Sequence, residues 1–372
     1  MTGAAPDLAA RPADPTGPRG RVPLRFVRSD PSPARSVLTR CLAGVLALLL
    51  AAVPIALAGA SVPEAYRLMA EGALGSRFAL SETLTRAAPL LLTGLAAAIA
   101  FRARLWNIGG EGQLYMGALA TAWLGSGAVD APAVVALPLV MLAAALAGAA
   151  LMVVPAWFKV RLGADEVVTT LLLNFVVLLF VQMMLEGPLK DPLGFGWPQS
   201  LPVIPAVELP ELWARTRLHA GLLIGLLAAP LLWFVVWRTT FGFRLRAVGE
   251  NPAAARFAGI GVGRTLLTVA AVSGALAGLA GFGEVAGLKG YLTSDLSPGF
   301  GYTGIVVAML AGLSMPGCVL AALFVAAVGV GADTMSRALG VSSYLADLVI
   351  ALSLIAILIG EFLARFRVER RR

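Results

Sequence analysis

Histidine is almost missing from this chain: His219 is the only one in 372 residues. The two cysteines, Cys41 and Cys318, stand far apart in or beside apolar stretches. These scarcities exclude a histidine-based metal cluster and a disulfide framework. Lysine is scarce as well, with three against 26 arginines. Charged residues of all kinds make up only 13% of the chain, whereas soluble domains carry about 25%. So little charge cannot cover a water-facing surface. No G-x-x-x-x-G-K-[ST] phosphate loop occurs, so the chain does not hydrolyse ATP by that chemistry. What is present in abundance is apolar: 59% hydrophobic residues, 41 glycines and a mean hydropathy of +0.85. The composition is that of a polytopic membrane protein. The net charge of +8 belongs to arginines lying between or beside apolar runs, a pattern of topology and not a nucleic-acid face.

Residues 1–40 are rich in Pro, Arg, Ala and Asp without periodicity and read as a disordered cytoplasmic tail anchored by seven arginines. An apolar run from Cys41 to Ala60 follows. It ends in an Ala-x-Ala pattern that a signal peptidase could cut, but so long a leader favours a first transmembrane helix. After a polar segment, Ser61–Thr83, assigned to the outside, apolar spans are expected at about 84–101, at an interrupted segment resuming to about 127, and at 131–157, 167–185, 219–237, 265–286, 305–314, 317–333 and 344–362. Ten crossings place both basic termini, residues 159–161 and residues 238–264 on one side, as the charges require. The six prolines and mixed charges of residues 186–218 suit the other. Trp233 and Trp237, one helical turn apart before Arg238, mark an interfacial belt, and Gly274 with Gly278 makes a small-xxx-small contact.

The fold expected is all-α: a transmembrane helical bundle of about ten helices in two inverted repeats, each with an interrupted helix. The interruptions are FRARLWNIGGEGQ and GLKGYLTSDLSPGFGYTG. Each is rich in glycine, carries a few polar side chains, and lies between small-residue helices. Breaking a helix in lipid exposes backbone groups at several kcal/mol each, so such breaks persist where protein or water satisfies them, near the path between repeats. Asn107, Glu111 and Gln113 from the first half, and Asp295, Ser297 and Tyr302 from the second, are therefore candidates to line a central path. Their alternative is an ordinary place in surface loops. Asn174 and Glu284, inside spans, face protein rather than lipid.

The stretch 238–264, RTTFGFRLRAVGENPAAARFAGIGVGR, is the longest well-bounded polar interval of the second half. Gly249 and Pro252 punctuate it. Asn251 is a natural N-cap, Pro252 fits the first helical position, Ala253 to Arg256 continue the helix and Gly259 with Gly261 ends it. A short helix in a basic loop is something a partner protein can push; the simpler reading is a positive-inside loop with no partner.

Three motifs in this order, RAAPLLLTGLAAAIAFRARLWNIGGEGQLYMGALATAWLG, GADEVVTTLLLNFVVLLFVQ, and GFRLRAVGENPAAARFAGI followed by SPGFGYTGIVVAMLAG, resemble the permease subunit of bacterial ABC importers of the ribose and branched-chain amino acid type. The likeness is greatest to the nucleoside and simple-sugar branch and extends from about residue 40 to 363. It implies a non-enzymatic subunit of the inner membrane with no cofactor of its own. ATP and Mg would sit on a cytoplasmic ABC ATPase. A second, related permease and an extracytoplasmic substrate-binding lipoprotein would complete the importer. It also implies that residues 249–259 are a coupling helix, with Arg244, Arg246, Gly249, Glu250, Asn251, Pro252, Ala254, Arg256 and Gly259 as its ATPase contacts and structural positions. Trp106, Tyr115 and Tyr302, near the interruptions, are candidates to stack on a base, with a place in the interfacial belt as their alternative, and residues 186–218 are a candidate docking surface for the binding protein or an ordinary external loop. An ion-gradient-driven transporter of a small polar solute is the alternative, which leaves residues 238–264 no role beyond topology. A membrane enzyme lacks a convincing catalytic constellation.

Overall fold

The computed structural model describes residues 24–28, 45–46, 48–129 and 131–370. The expected tail at 1–40 and Cys41 lie outside them, apart from one short strand. Thirteen helices follow in chain order: α1 (Leu48–Leu57), α2 (Val62–Leu74), α3 (Arg77–Arg102), α4 (Gly110–Trp123), α5 (Ala133–Leu162), α6 (Glu166–Glu186), α7 (Gly221–Arg238), α8 (Thr240–Glu250), α9 (Pro252–Phe257), α10 (Val262–Gly283), α11 (Phe300–Leu310), α12 (Met315–Leu339) and α13 (Ser343–Arg365). The protein is a polytopic helical bundle.

A helix stands at each of the ten expected apolar segments, and among the described residues α3, α5, α6, α7, α10 with the turn that follows it to Lys289, and α12 are long and apolar enough to span by themselves. Helices α4 and α11 have 14 and 11 residues, about 21 and 16 Å, against a hydrocarbon core of about 30 Å. They are short because each is the resumed half of an interrupted element. Helix α1 is short too, and it joins α2 at a bend of 115°. The segment Ser61–Thr83 is not the external loop expected. Its charges, Glu64, Arg67 and Glu71, form an i,i+3/i,i+4 ladder on the exposed face of α2, while Ala65 and Ala73 are buried. The opposite face of α2 packs on α12, where the Gly331 backbone meets Met69 and Gly72 meets Thr334.

Burial separates an inner from an outer set. In its most apolar stretch α3 is 89% buried, against 22% for α6 and 28% for α5. Helix α3 is apolar almost all round, with small residues from Ala87 to Ala100, so neighbours can close on every side. Helix α10 packs against α3, α4 and α5. There, Gly274 and Gly278 make the close approach expected of them: a Cβ at Gly274 would lie 2.3 Å from the Gly148 carbonyl oxygen of α5, and one at Gly281 would lie 2.0 Å from that of Leu114 in α4.

Two π-helical turns, Leu124–Ala128 after α4 and Glu284–Lys289 after α10, lie at one end of the bundle. The long interval between α6 and α7 covers both. Its backbone bonds to Gly125 through Ile204, to Gly290 through Val203, and to Ala286 through Leu209. At the opposite end lie α8, α9 and the C-termini of α3 and α5. Beyond the helices, strand β1 (Leu24–Arg28) pairs antiparallel with β2 (Phe366–Arg370), setting Arg25 opposite Glu369 and Phe26 opposite Val368. Secondary structure thus appears in both segments whose sequence reads as a basic tail, residues 1–40 and 364–372.

The α10 contacts are testable. Gly281→Ala drives a methyl into the α4 backbone and is expected to destabilise the bundle by about 1–3 kcal/mol. Gly261→Ala, whose added methyl meets only the Arg264 side chain at 3.8 Å, serves as the control. Thermal unfolding in detergent reads both, and equal midpoints would overturn the close-packing account.

Candidate functional site

The first interruption, between α3 and α4, is held in place by side chains from other helices. Asn107 and Gln113 exchange amide hydrogen bonds of 2.8 Å in both directions. Asn107 Nδ2 also donates to Ser273 Oγ on α10 at 2.9 Å, and Ser273 donates to the Ala96 carbonyl of α3 at 2.7 Å. From α6, Asn174 accepts from Gly112 N–H at 2.9 Å and donates to the Ile108 carbonyl at 3.0 Å and the Tyr302 hydroxyl at 3.1 Å. Glu166, at the start of the same helix, accepts from Trp106 N–H at 3.2 Å and pairs with Lys159. Every one of these bonds satisfies a group that the broken helix exposes or a side chain recruited to do so.

The second interruption meets the first at its glycines. Gly301 N–H, in the first turn of α11, donates to Glu111 Oε2 in the first turn of α4 at 2.7 Å. The backbones lie so close that a Cβ on Gly301 would be 2.1 Å from the Glu111 nitrogen. A carboxylate near two helix N-termini is well placed electrostatically. Ser297 caps α11, its hydroxyl accepting from Phe300 N–H at 2.9 Å and Gly299 N–H at 3.2 Å. Tyr115 bridges to the same loop, donating to the Ser294 carbonyl at 2.8 Å and accepting from Ser297 N–H at 3.1 Å.

The structure therefore brings Asn107, Glu111, Gln113, Asn174 and Tyr302 into one cluster, with Ser297 beside it. The four on α4, α6 and the first interruption are buried; Asn107 and Gln113 bond to each other, and Asn174 and Glu111 to backbone groups of the two interruptions, a weld between elements and not an open wall. Asp295 stands apart, exposed, 3.9 Å from Lys289. The three aromatics expected to stack on a base do not converge. Trp106 packs on Phe101 at the end that carries α8 and α9, Tyr115 is buried, and Tyr302 is part-exposed on α11.

An open space lies elsewhere. A cavity of about 900 Å3 sits among α2, the first half of α3, the second half of α12 and the residues after α10, at the end covered by the 186–218 interval. Its lining includes Glu82, Arg86, Arg217, Glu284, Lys289 and Asp333, and of the expected path residues only Asp295. Arg86 of α3 pairs with Asp333 of α12, and Arg217 pairs with Glu82. The sequence gives no spacing signal for such pairs, since Arg86 and Asp333 are 247 residues apart.

At the opposite end, residues 238–264 form two helices instead of a loop with one. Thr239 caps α8, accepting from Gly242 N–H at 3.2 Å. Asn251 caps α9 as expected, accepting from Ala253 and Ala254 N–H at 3.0 and 3.1 Å. Pro252 is the first helical residue, and Gly259 follows with φ +79°. Gly249 is no break. It is buried near the end of α8, where a Cβ would lie 1.9 Å from the Arg102 carbonyl oxygen of α3. Arg246 is not a free contact either, since it donates to the Val236 carbonyl at 2.7 Å and stacks 4.5 Å over Trp237. Arg244, Glu250, Asn251, Pro252, Ala254 and Arg256 are exposed. The residue missed is Phe257, 96% exposed at the end of α9, detectable as the one aromatic on an otherwise polar and small-residue helix.

An interior helix ringed by lipid-facing ones, a charged cavity at one end and a projecting helix pair at the other define a membrane transport subunit. The family model described as "Branched-chain amino acid transport system / permease component" matches residues 79–358, and the chain belongs to that family. A glucose ABC transporter permease protein of Haloferax volcanii is 38% identical over 315 residues, 82% of each chain. A guanosine ABC transporter permease protein of Bacillus subtilis is 36% identical over 332 residues, 89% of this chain and 95% of that one. A nucleoside ABC transporter permease protein of Lactococcus lactis is 32% identical over 314 residues, 82% and 85%.

Asn174→Leu removes the acceptor of Gly112 N–H and the donor to Ile108, each left unsatisfied at about 1–3 kcal/mol. A large drop in the unfolding midpoint of the purified chain is expected. An unchanged midpoint would mean that Asn174 does not hold the interruption.

Proposed function

We propose that this chain is the permease subunit of an ATP-driven importer for a nucleoside or a simple sugar, moved by an ABC ATPase that docks on α8 and α9. The observation that carries the reading is the mechanical continuity of α9, α8 and α3. Helix α8 lies against the C-terminus of α3 at Gly249 without an intervening side chain. Helix α3 then runs unbroken from Arg102 to Arg86 in the cavity wall, about 24 Å away. A push on α9 is thus delivered towards the cavity along one continuous helix, which contains Pro89. The substrate class is supported by the relatives in Haloferax, Bacillus and Lactococcus, whose names give glucose, guanosine and nucleosides.

In this reading α8 and α9 face the cytoplasm, together with both termini, and the chain sits in the bacterial inner membrane. The arginines and lysines gathered at that end, from Arg102 and Lys159 to Arg238, Arg244 and Arg256, support the orientation. The other end, with its 186–218 interval, receives a substrate-binding lipoprotein, and a second, related permease completes the membrane part. ATP and Mg bind on the ATPase. The two interrupted units, α3–α4 and α10–α11, are inverted repeats joined at Gly110 and Gly301. The path runs beside this junction by way of the cavity, with Asn107, Glu111, Gln113, Asn174, Ser297 and Tyr302 holding the junction in register and Asp295 on the cavity lining.

The complex purified in mild detergent is expected to contain an ATPase subunit. Phe257→Ala and Arg256→Glu are each expected to lower substrate-coupled ATP hydrolysis and uptake at least tenfold with membrane insertion intact. A chain that purifies alone and transports on an ion gradient would replace this reading with a secondary transporter.

A further inference from the structure

Charged side chains in membrane-spanning helices are tolerated where they face a water-filled space or one another. The cavity beside α3 satisfies both conditions. Three of its four cations are matched, Arg86 with Asp333, Arg217 with Glu82 and Lys289 with Asp295, while Arg337 donates to the Thr334 hydroxyl. Such a lining excludes an acyl chain, because lipid would leave the ion pairs dry. It also offers little net field to a charged solute.

Two carboxylates on this lining, Glu284 and Asp347, stand outside the ion pairs among the described residues, and of the two only Glu284 is buried. Glu284 is 2% exposed, yet no hydrogen bond or ion pair reaches its carboxylate among the described residues. It is also where the regular hydrogen-bond ladder of α10 gives way to the π-helical turn Glu284–Lys289. Such turns recur at functional sites, because they redirect a side chain that regular winding would aim elsewhere. A carboxyl group has two oxygens with which to hydrogen-bond. Two adjacent hydroxyls of one solute match it, one to each oxygen. The volume, about 900 Å3, suits a small solute within the usual range of ligand pockets, roughly 300–1,000 Å3.

Resting on the importer reading above, we propose that this cavity is a substrate-binding station on the transport path, and that Glu284 is its recognition group for the vicinal diol of an uncharged, hydroxyl-rich solute. The paired charges of the walls supply further donors and acceptors, and the ladder of α10 beneath Glu284 fixes the carboxylate's position. The station is distinct from the buried cluster around Asn107 and Asn174, whose hydrogen bonds are all spent on the protein.

The test uses the complete importer, with its ATPase and binding protein, in proteoliposomes, with Cys41→Ala and Cys318→Ala as background. Single cysteines at Leu288 or Val330, both on the cavity lining, are labelled with a membrane-impermeant maleimide. Guanosine and glucose, at millimolar concentration, are the probes. The probe that is taken up is expected to slow labelling at least fivefold. Glu284→Leu, which roughly keeps the volume but removes both oxygens, is expected to abolish that protection, and the analogue lacking one hydroxyl of the diol to protect poorly even with Glu284 present. Labelling at Asp295→Cys and copurification of the ATPase establish that the Glu284→Leu complex is assembled. If a probe is taken up and protection is absent, or is unchanged by Glu284→Leu, the station is overturned while the importer reading stands. If neither probe is taken up, the substrate class proposed above fails and the station falls with it.

Discussion

A broken helix in a membrane must have its freed N–H and C=O groups satisfied by protein. Much of the interior of this chain follows from that constraint. The seven residues between α3 and α4 are answered by Asn107 from within, Asn174 and Glu166 from α6, and Ser273 from α10. The second break is answered by Ser297 and by Glu111 across the junction. Because each break borrows partners from helices far away in sequence, neither can move without the other. The cluster ties α4, α6, α10 and α11 at one place.

That tie is permitted by small residues. Where α10 crosses α4 and α5, backbone meets backbone, and dispersion between closely approaching chains replaces the hydrophobic effect, which lipid does not supply between helices. The same economy of side chains recurs where α8 meets α3 at Gly249. Dense junctions of this kind transmit displacement instead of absorbing it, which suits a helix expected to carry motion from one end of the bundle to the other.

The position of each apolar segment was legible because hydropathy is a local property, and so was the Asn251–Pro252 cap, which depends on adjacent residues. The short length of α4 and α11 was legible only as an interruption, since depth in a membrane has no local signature. Helix α2 was hidden because Glu64, Arg67 and Glu71 occupy its outer face and masked the small residues that pack on α12. The cavity was hidden because its pairs join residues of distant segments, Arg86 with Asp333 and Arg217 with Glu82. Asn107, Glu111, Gln113 and Asn174, expected to line a path, are buried; polarity alone does not separate a group that holds a wall from one that faces a solute. The β1–β2 ribbon could not be read either, as it pairs opposite ends of the chain.

Helix α3 is the most buried of the six long spans and also the least apolar of them. The two facts belong together. Bilayer affinity selects α5, α6 and α7, whose sides are lipid-facing, whereas α3 is retained by helices that enclose it. It is also made early: α10, α11 and α12, which bury it, emerge from the ribosome only after more than half of the chain has been synthesised. During that interval Arg86 has no Asp333 and the small-residue faces have no neighbours. Biogenesis of this subunit therefore includes a stage in which its central helix is an unassembled guest, exposed to the quality-control machinery of the membrane until the second half arrives.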